Sequence, residues 1–177
     1  QYHLHSIGSF ADFAQQAEHY VRTAAEFGSD AVLFPEFMTT QLLSIPDGEP
    51  AAIGKLPSFT EQYIGLFSSL AREHGMHIIG GTHVIENGGK LFNVAHLFYP
   101  DGTVKTQSKL HITPTETKEW NIRPGDGLHL FATDFGTWAI LICYDIEFPE
   151  LARMARARGA DVIFCPSCTD DRQGFYR

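Results

Sequence analysis

An apolar run from Trp138 through Ala139, Ile140 and Leu141 to Ile142 has no polar interruption, the pattern of a strand buried on both faces. It stops at Cys143, Tyr144 and Asp145, and Pro149 then opens a helical pattern. A thiol therefore stands where a core strand ends. In open α/β sheets the carboxyl ends of strands are where ligands bind, because the loops there are free to vary over a rigid sheet.

The rest of the pattern builds a sheet around that strand. Ser9 and Asp12 form a capping-box signature, and Phe10, Phe13, Ala14, Ala17, Tyr20, Val21 and Ala24 recur at helical spacing as far as Gly28. Ala31 to Phe34 reads as a short strand, followed at once by Pro35 and Glu36. Phe37 to Pro57 shows no sustained period and predicts a long loop, of the kind that often lines a binding site. Ser58 with Glu61 predicts a second capping box and a helix with Ile64, Phe67, Leu70 and Ala71 inward, closed by Gly75. Met76 to Gly80 predicts a strand. A turn at Glu86 to Gly89 precedes Leu91 to Tyr99, and Pro100 to Gly102 turns the chain into Thr103 to Ser108, with Lys109 where that strand runs out. Residues 110–127 are irregular and predict a second loop beside the site.

Leu128 to Ala132 and Thr137 to Ile142 predict a hairpin around Asp134 to Gly136. The helix from Pro149 is expected to turn Leu151, Ala152, Met154 and Ala155 inward and Arg153, Arg156 and Arg158 outward, ending at Gly159. Asp161 to Cys165 is the last strand. The order implies an α/β fold, a mixed sheet with helices on at least one face.

Composition narrows the function classes. The 177 residues, 44% hydrophobic and 19% charged, suit one globular domain over 1–177. A net charge of -8 argues against a nucleic-acid or anionic-membrane surface. No apolar run reaches the length of a membrane span. Three cysteines do not suggest a disulfide framework, which makes a reducing cytoplasmic compartment the expectation. Gln1 is not an initiator and the end at DDRQGFYR has no closing element, so the domain is expected to lack its first strand and its C-terminal part.

Several local matches carry no chemistry. Asp134-Phe135-Gly136 spells a kinase magnesium motif without its companion loops. Cys165 and Cys168 have C-x-x-C spacing but no second pair, and His3 and His5 are best read as chance neighbours on one strand face. No metal and no cofactor is expected.

Glu36, Lys109 and Cys143 remain, each at the loop end of a predicted strand. Amide cleavage needs a nucleophile, a base to activate it, and positive charge where the oxyanion develops. These residues supply those roles. With FPE around Glu36, Lys109-Leu110-His111 with the PGD that follows, and CYDIEFPELAR around Cys143, the chain resembles the nitrilase superfamily of carbon-nitrogen hydrolases. The resemblance implies a Glu36-Lys109-Cys143 triad, an αββα sandwich, a homodimer or larger homo-oligomer, and a domain longer than this chain. It also implies that the Tyr144 N–H joins Lys109 at the oxyanion, and that a second glutamate helps position Lys109 and the substrate. Glu119 and Glu116 compete for that last role, and Glu119 is preferred for lying nearer Pro124-Gly125.

Tyr144-Asp145 after the nucleophile resembles the amidase-like and carbamoylase-like branches, which favours a small-molecule amide over a nitrile. Glu147 stands where many amidase-like members carry Arg, which suggests a substrate without a carboxylate and with an amine; alternatively Glu147 caps the following helix. Ser167, Cys168 and Asp170 follow the last strand and are candidates for the pocket border. Two alternatives stay open: an acyltransferase using the same thioester, and a catalytically silent binding or scaffold protein.

Overall fold

The computed structural model describes residues 2, 4–46, 48, 50 and 52–169. Two sheets face one another. The first has the order β1 (Ala31–Leu33), β2 (His77–Asn87), β3 (Lys90–Phe98), β4 (Val104–Ser108), and the second runs β5 (Leu130–Thr133), β6 (Gly136–Ile140), β7 (Val162–Phe164). β1 pairs parallel with β2 and β6 parallel with β7, and the other pairs are antiparallel.

Alternation along the strands divides the apolar side chains among three layers. Ile78 and Phe98 face α1 (Phe10–Glu26) and α2 (Thr60–His74), where Phe13, Ala17, Val21, Tyr63, Phe67 and Ala71 complete the outer core. Their neighbours Ile79 and Leu97 point the other way, against Phe131, Trp138, Ile140 and Ile142 of the second sheet. Ala139 and Leu141 then face Leu151 and Ala155, carried by the helix at Pro149–Ala157. Because side chains of a strand alternate between faces, the apolar run at 138–142 serves two cores at once. The layers are helix, sheet, sheet, helix: the αββα sandwich.

The fold brings three strand ends to one edge. β4 runs in the same direction as β1, since β1, β2 and β3 reverse direction once and β3 to β4 reverses it again. Glu36 after β1 and Lys109 after β4 are thereby neighbours, and the end of β6 delivers Cys143 across the gap between the sheets.

Several boundaries differ from the sequence pattern. The expected loop at 37–57 contains a 3-10 segment at Met38–Ser44, and a second, Ile53–Phe59, runs past its end; Met38, Leu42 and Leu56 are buried. The capping box expected of Ser58 and Glu61 does not form. Ser58 lies inside that second segment, where its hydroxyl donates to the Lys55 carbonyl, and α2 starts after Phe59 with no side-chain cap. Ser9 and Asp12 do make theirs. The strand expected at 76–80 runs on to Asn87, because Thr82 and His83 are buried polar residues that hide the period. Within 110–127 lies a short helix, α3 (Pro114–Lys118), which makes the helix at 149–157 α4. Met154, expected inward, is 42% exposed.

The register of β2 slips between Ile79 and Thr82, and Gly81 sits there at φ +68°. A side chain at Gly81 would overlap the Pro35 carbonyl oxygen, so the bulge makes room for the turn carrying Glu36. Gly81→Ala should therefore lower stability by about 1–3 kcal/mol, seen as a fall in Tm. Gly65→Ala, inside α2 with open space around it, should raise stability by about 0.5–1 kcal/mol. Equal effects of the two changes would contradict this reading of the bulge.

Candidate active site

Each functional side chain is set by local backbone. The chain leaves β1 through Pro35, and Phe37 adopts a left-handed conformation, φ 56°, with its N–H donating to the Thr82 hydroxyl at 2.9 Å. That anchors the turn holding Glu36. Lys109 is fixed on both sides of its backbone: its N–H donates to the Asn93 carbonyl at 2.9 Å and its carbonyl accepts from the Gly125 N–H at 2.8 Å. Cys143 opens a 3-10 turn, Cys143–Glu147, at φ 47°, a conformation that a non-glycine residue adopts only when its surroundings impose it. Its N–H is held by the Pro166 carbonyl at 3.0 Å. The Tyr144 N–H lies in the first turn of that segment, where backbone donors have no intrahelical acceptor.

The Lys109 ammonium donates to Glu36 Oε1 at 2.8 Å and to Glu116 Oε2 at 2.7 Å, and all three side chains are almost fully buried. The Asn93 amide spans the two carboxylates, donating to Glu36 Oε1 at 3.0 Å and to Glu116 Oε1 at 2.9 Å. Glu116 also accepts from the N–H and hydroxyl of Thr113 at 3.0 and 2.8 Å. The preference for Glu119 as the residue that positions Lys109 is thus corrected: Glu116 is the glutamate in contact with the ammonium. The reason is the capping box of α3, in which Thr113 and Glu116 fold the Glu116 side chain back toward the helix start.

Two carboxylates on one ammonium are pushed in opposite directions. Burial raises Glu36, with the charge of Glu116 adding to it, and Lys109 only partly offsets this. For Glu116 burial acts the same way, but it is outweighed by Lys109 together with the hydrogen bonds from Thr113 and Asn93, and its carboxyl is held below the usual range. Lys109 is raised: burial opposes its charge, and the two carboxylates more than compensate. Burial first, and the charge of Glu36 next, push the Cys143 thiol up to about 12. A thiol so placed is neutral at physiological pH and depends on a base to become a nucleophile.

Residues after β7 close the group. The Cys168 N–H donates to Glu36 Oε2 at 3.3 Å, and its carbonyl faces the Cys143 thiol at 3.6 Å. Beside them opens a cavity of about 690 Å³ walled chiefly by apolar side chains, among them Phe37, Leu43, Ile53 and Trp120, with Cys168 and Glu119 on its lining. Glu147 is exposed and lies outside that lining. Ser167 is exposed and bonded to Cys165. Asp170 and His3 lie outside the described residues. No helix among the described residues is long and apolar enough to cross a membrane.

The carbon-nitrogen hydrolase profile matches residues 3–174. The chain belongs to the carbon-nitrogen hydrolase family. It is 51% identical to the probable hydrolase YhcX of Bacillus subtilis over all of this chain and 35% of that protein. It is 32% identical to human omega-amidase NIT2 over 94% of this chain and 60% of that one. The chain therefore spans between about a third and three-fifths of the length of these relatives. The fold is shared with a carbon-nitrogen hydrolase from Helicobacter pylori G27 (TM-score 0.79, 22% identity, 96% of this chain and 60% of that one). It is shared too with a glutamate-to-glutamine mutant of the amidase from Nesterenkonia sp. AN1 that shows the result of Michael addition of acrylamide at its active-site cysteine (TM-score 0.76, 19% identity, 97% and 66%).

Sequence reasoning gave Asn93 no role and used Asp145 only, with Tyr144, as a marker of the amidase-like branches. Asp145 is fully buried. Its carboxylate accepts from the Leu110 N–H at 3.2 Å, the His111 N–H at 2.7 Å, the His111 ring at 3.1 Å and the Ile142 N–H at 3.1 Å. It straps the backbone just after Lys109 to the backbone just before Cys143. Its partners on the Lys109 side lie 34 and 35 positions away, so no local motif announces them. Asn93 had a fainter signal, a polar residue inside an otherwise apolar stretch of β3, followed by His96.

Replacing Asp145 with Ala leaves at least three backbone donors without their acceptor, each costing about 1–3 kcal/mol if it stays dry. Asp145→Ala should unfold at clearly lower denaturant concentration than Glu147→Ala, whose side chain is exposed. Matching unfolding midpoints would contradict the strap.

Proposed function

We propose that the protein is a thiol-dependent hydrolase that cleaves a non-peptide carbon-nitrogen bond, an amide of a small molecule, through a thioester on Cys143. One observation carries the reading: the buried Lys109 ammonium lies between two carboxylates, of which Glu116 is the more fully hydrogen-bonded, while burial raises the proton affinity of Glu36 beside the Cys143 thiol. Carboxylates pushed apart in this way divide the roles of base and permanent counter-ion.

Glu36 takes the proton from Cys143 Sγ as the sulfur attacks the substrate's carbonyl carbon. The carbonyl oxygen gains the charge and meets the Lys109 ammonium and the Tyr144 N–H. As the carbon-oxygen double bond re-forms, the carbon-nitrogen bond breaks and Glu36 returns its proton to the departing nitrogen, releasing ammonia or an amine. Water then gives a proton to Glu36 and its oxygen attacks the thioester. The carbon-sulfur bond breaks, the proton goes back to sulfur, and the acid leaves. Glu116, with Thr113 and Asn93, holds Lys109 in place and charged throughout. The protein acts without metal or cofactor, in the cytoplasm, as a homodimer or larger homo-oligomer.

With a panel of primary amides and carbamoyl amines, the full-length enzyme should release ammonia, and Cys143→Ala should lose at least about a thousandfold of that rate. Ammonia release by the variant at the wild-type rate would overturn the proposal. The pH dependence follows from the protonation states. The working form has ionised Glu36 and a protonated thiol, so kcat/KM should rise with pH through a Glu36 pKa above the usual carboxylate value of about 4.3. It should then stay level through pH 9, because the thiol titrates near 12 and Lys109 is raised. An alkaline limb near the ordinary thiol value of about 8.5 would contradict this assignment.

A further inference from the structure

The cavity at Phe37 and Cys168 carries an inference that rests on the function proposed above. Two of its lining residues, Phe37 and Cys168, adjoin the catalytic group. Phe37 follows the base directly and its ring lies 6.0 Å from Lys109 Nζ, while Cys168 contacts both Glu36 and Cys143 through its backbone. An acyl chain on Cys143 that passed Cys168 would enter this space. Its walls are side chains that match methylene groups, with Phe37 and Trp120 edge to face at 5.3 Å.

Among the described residues Glu119 is the one charged side chain on the lining. It sits at the C-terminal end of α3, and its carboxylate makes no hydrogen bond or ion pair with a described residue. The neighbouring catalytic cluster already sets two carboxylates against one ammonium. A substrate carboxylate would meet repulsion from both. A substrate ammonium would meet a carboxylate and two aromatic rings, the surroundings that recognise organic cations. We propose that Glu119 is a specificity-determining residue and that the preferred substrates are ω-amino amides, with a short methylene chain between the ammonium and the amide. The amine that Glu147 suggests from the sequence is read instead by Glu119, because Glu147 lies outside the cavity lining.

Matched amides of four, five and six carbons test this: the alkanamide, the ω-aminoalkanamide and the dicarboxylic acid monoamide, which differ only in the terminal group. With the full-length enzyme, kcat/KM should favour the ammonium over the methyl terminus by about tenfold and place the carboxylate last. Glu119→Gln should bring the ammonium-to-methyl ratio toward one, and Glu119→Lys should move the carboxylate ahead of the ammonium. Preference for the carboxylate in the wild type, or ratios unmoved by Glu119→Gln, would overturn the inference.

Calorimetric binding of the same compounds to Cys143→Ala separates the two readings. If no amide is turned over but Cys143→Ala binds the ammonium member most tightly, and adding Glu119→Gln removes that preference, the recognition stands and the hydrolase reading fails. No discrimination, or no binding, overturns the recognition itself.

Discussion

An ammonium buried between two carboxylates is the constraint on which the site depends. Lys109 is 1% exposed and reaches Glu36 and Glu116 at hydrogen-bond distance, so each of the three charges is tolerated only because the others are there. Removing one partner from such a group leaves an uncompensated buried charge, which costs about 3–5 kcal/mol. The three strand ends, the Asn93 amide between the carboxylates and the strap made by Asp145 all keep that geometry in register. The fold can be read as the scaffold this cluster needs: β1 and β4 share a direction, and the second sheet brings the thiol to them.

The asymmetry of the two carboxylates is what turns a structural ion cluster into a chemical one. Glu116 has more hydrogen-bond donors than Glu36 and is committed to Lys109. Glu36 is held by fewer, is destabilised by its neighbour's charge, and lies beside the Cys143 thiol. In the proposed mechanism Glu36 is the base because it is the less satisfied of the two carboxylates. The high pKa of Cys143 fits the same logic, because a thiolate formed in advance would have to coexist with two carboxylates.

Much of this was legible in the sequence. The run at 138–142 announced a strand with two buried faces, and Glu36, Lys109 and Cys143 each followed a strand that the pattern showed. What was hidden has physical causes. β2 looked short because Thr82 and His83 place polar atoms in the core, where Thr39 and Thr60 partner His83. The choice between Glu116 and Glu119 went to nearness to Pro124-Gly125, although Thr113, Pro114 and Glu116 spell a capping box with proline at the first helical position. Read as a helix start, that motif turns Glu116 inward and leaves Glu119 for the cavity. Asp145 and Asn93 could not be assigned from sequence, since their partners are brought to them only by the tertiary fold.

Rapid-quench intact mass spectrometry, with peptide mapping, on the full-length enzyme mixed with a hydrolysed amide tests the central claim most directly. The account predicts a transient mass increase equal to the acyl group, on the peptide carrying Cys143, that decays as the acid appears. Steady turnover with no acyl adduct there, or an adduct confined to Cys165 or Cys168, would contradict it.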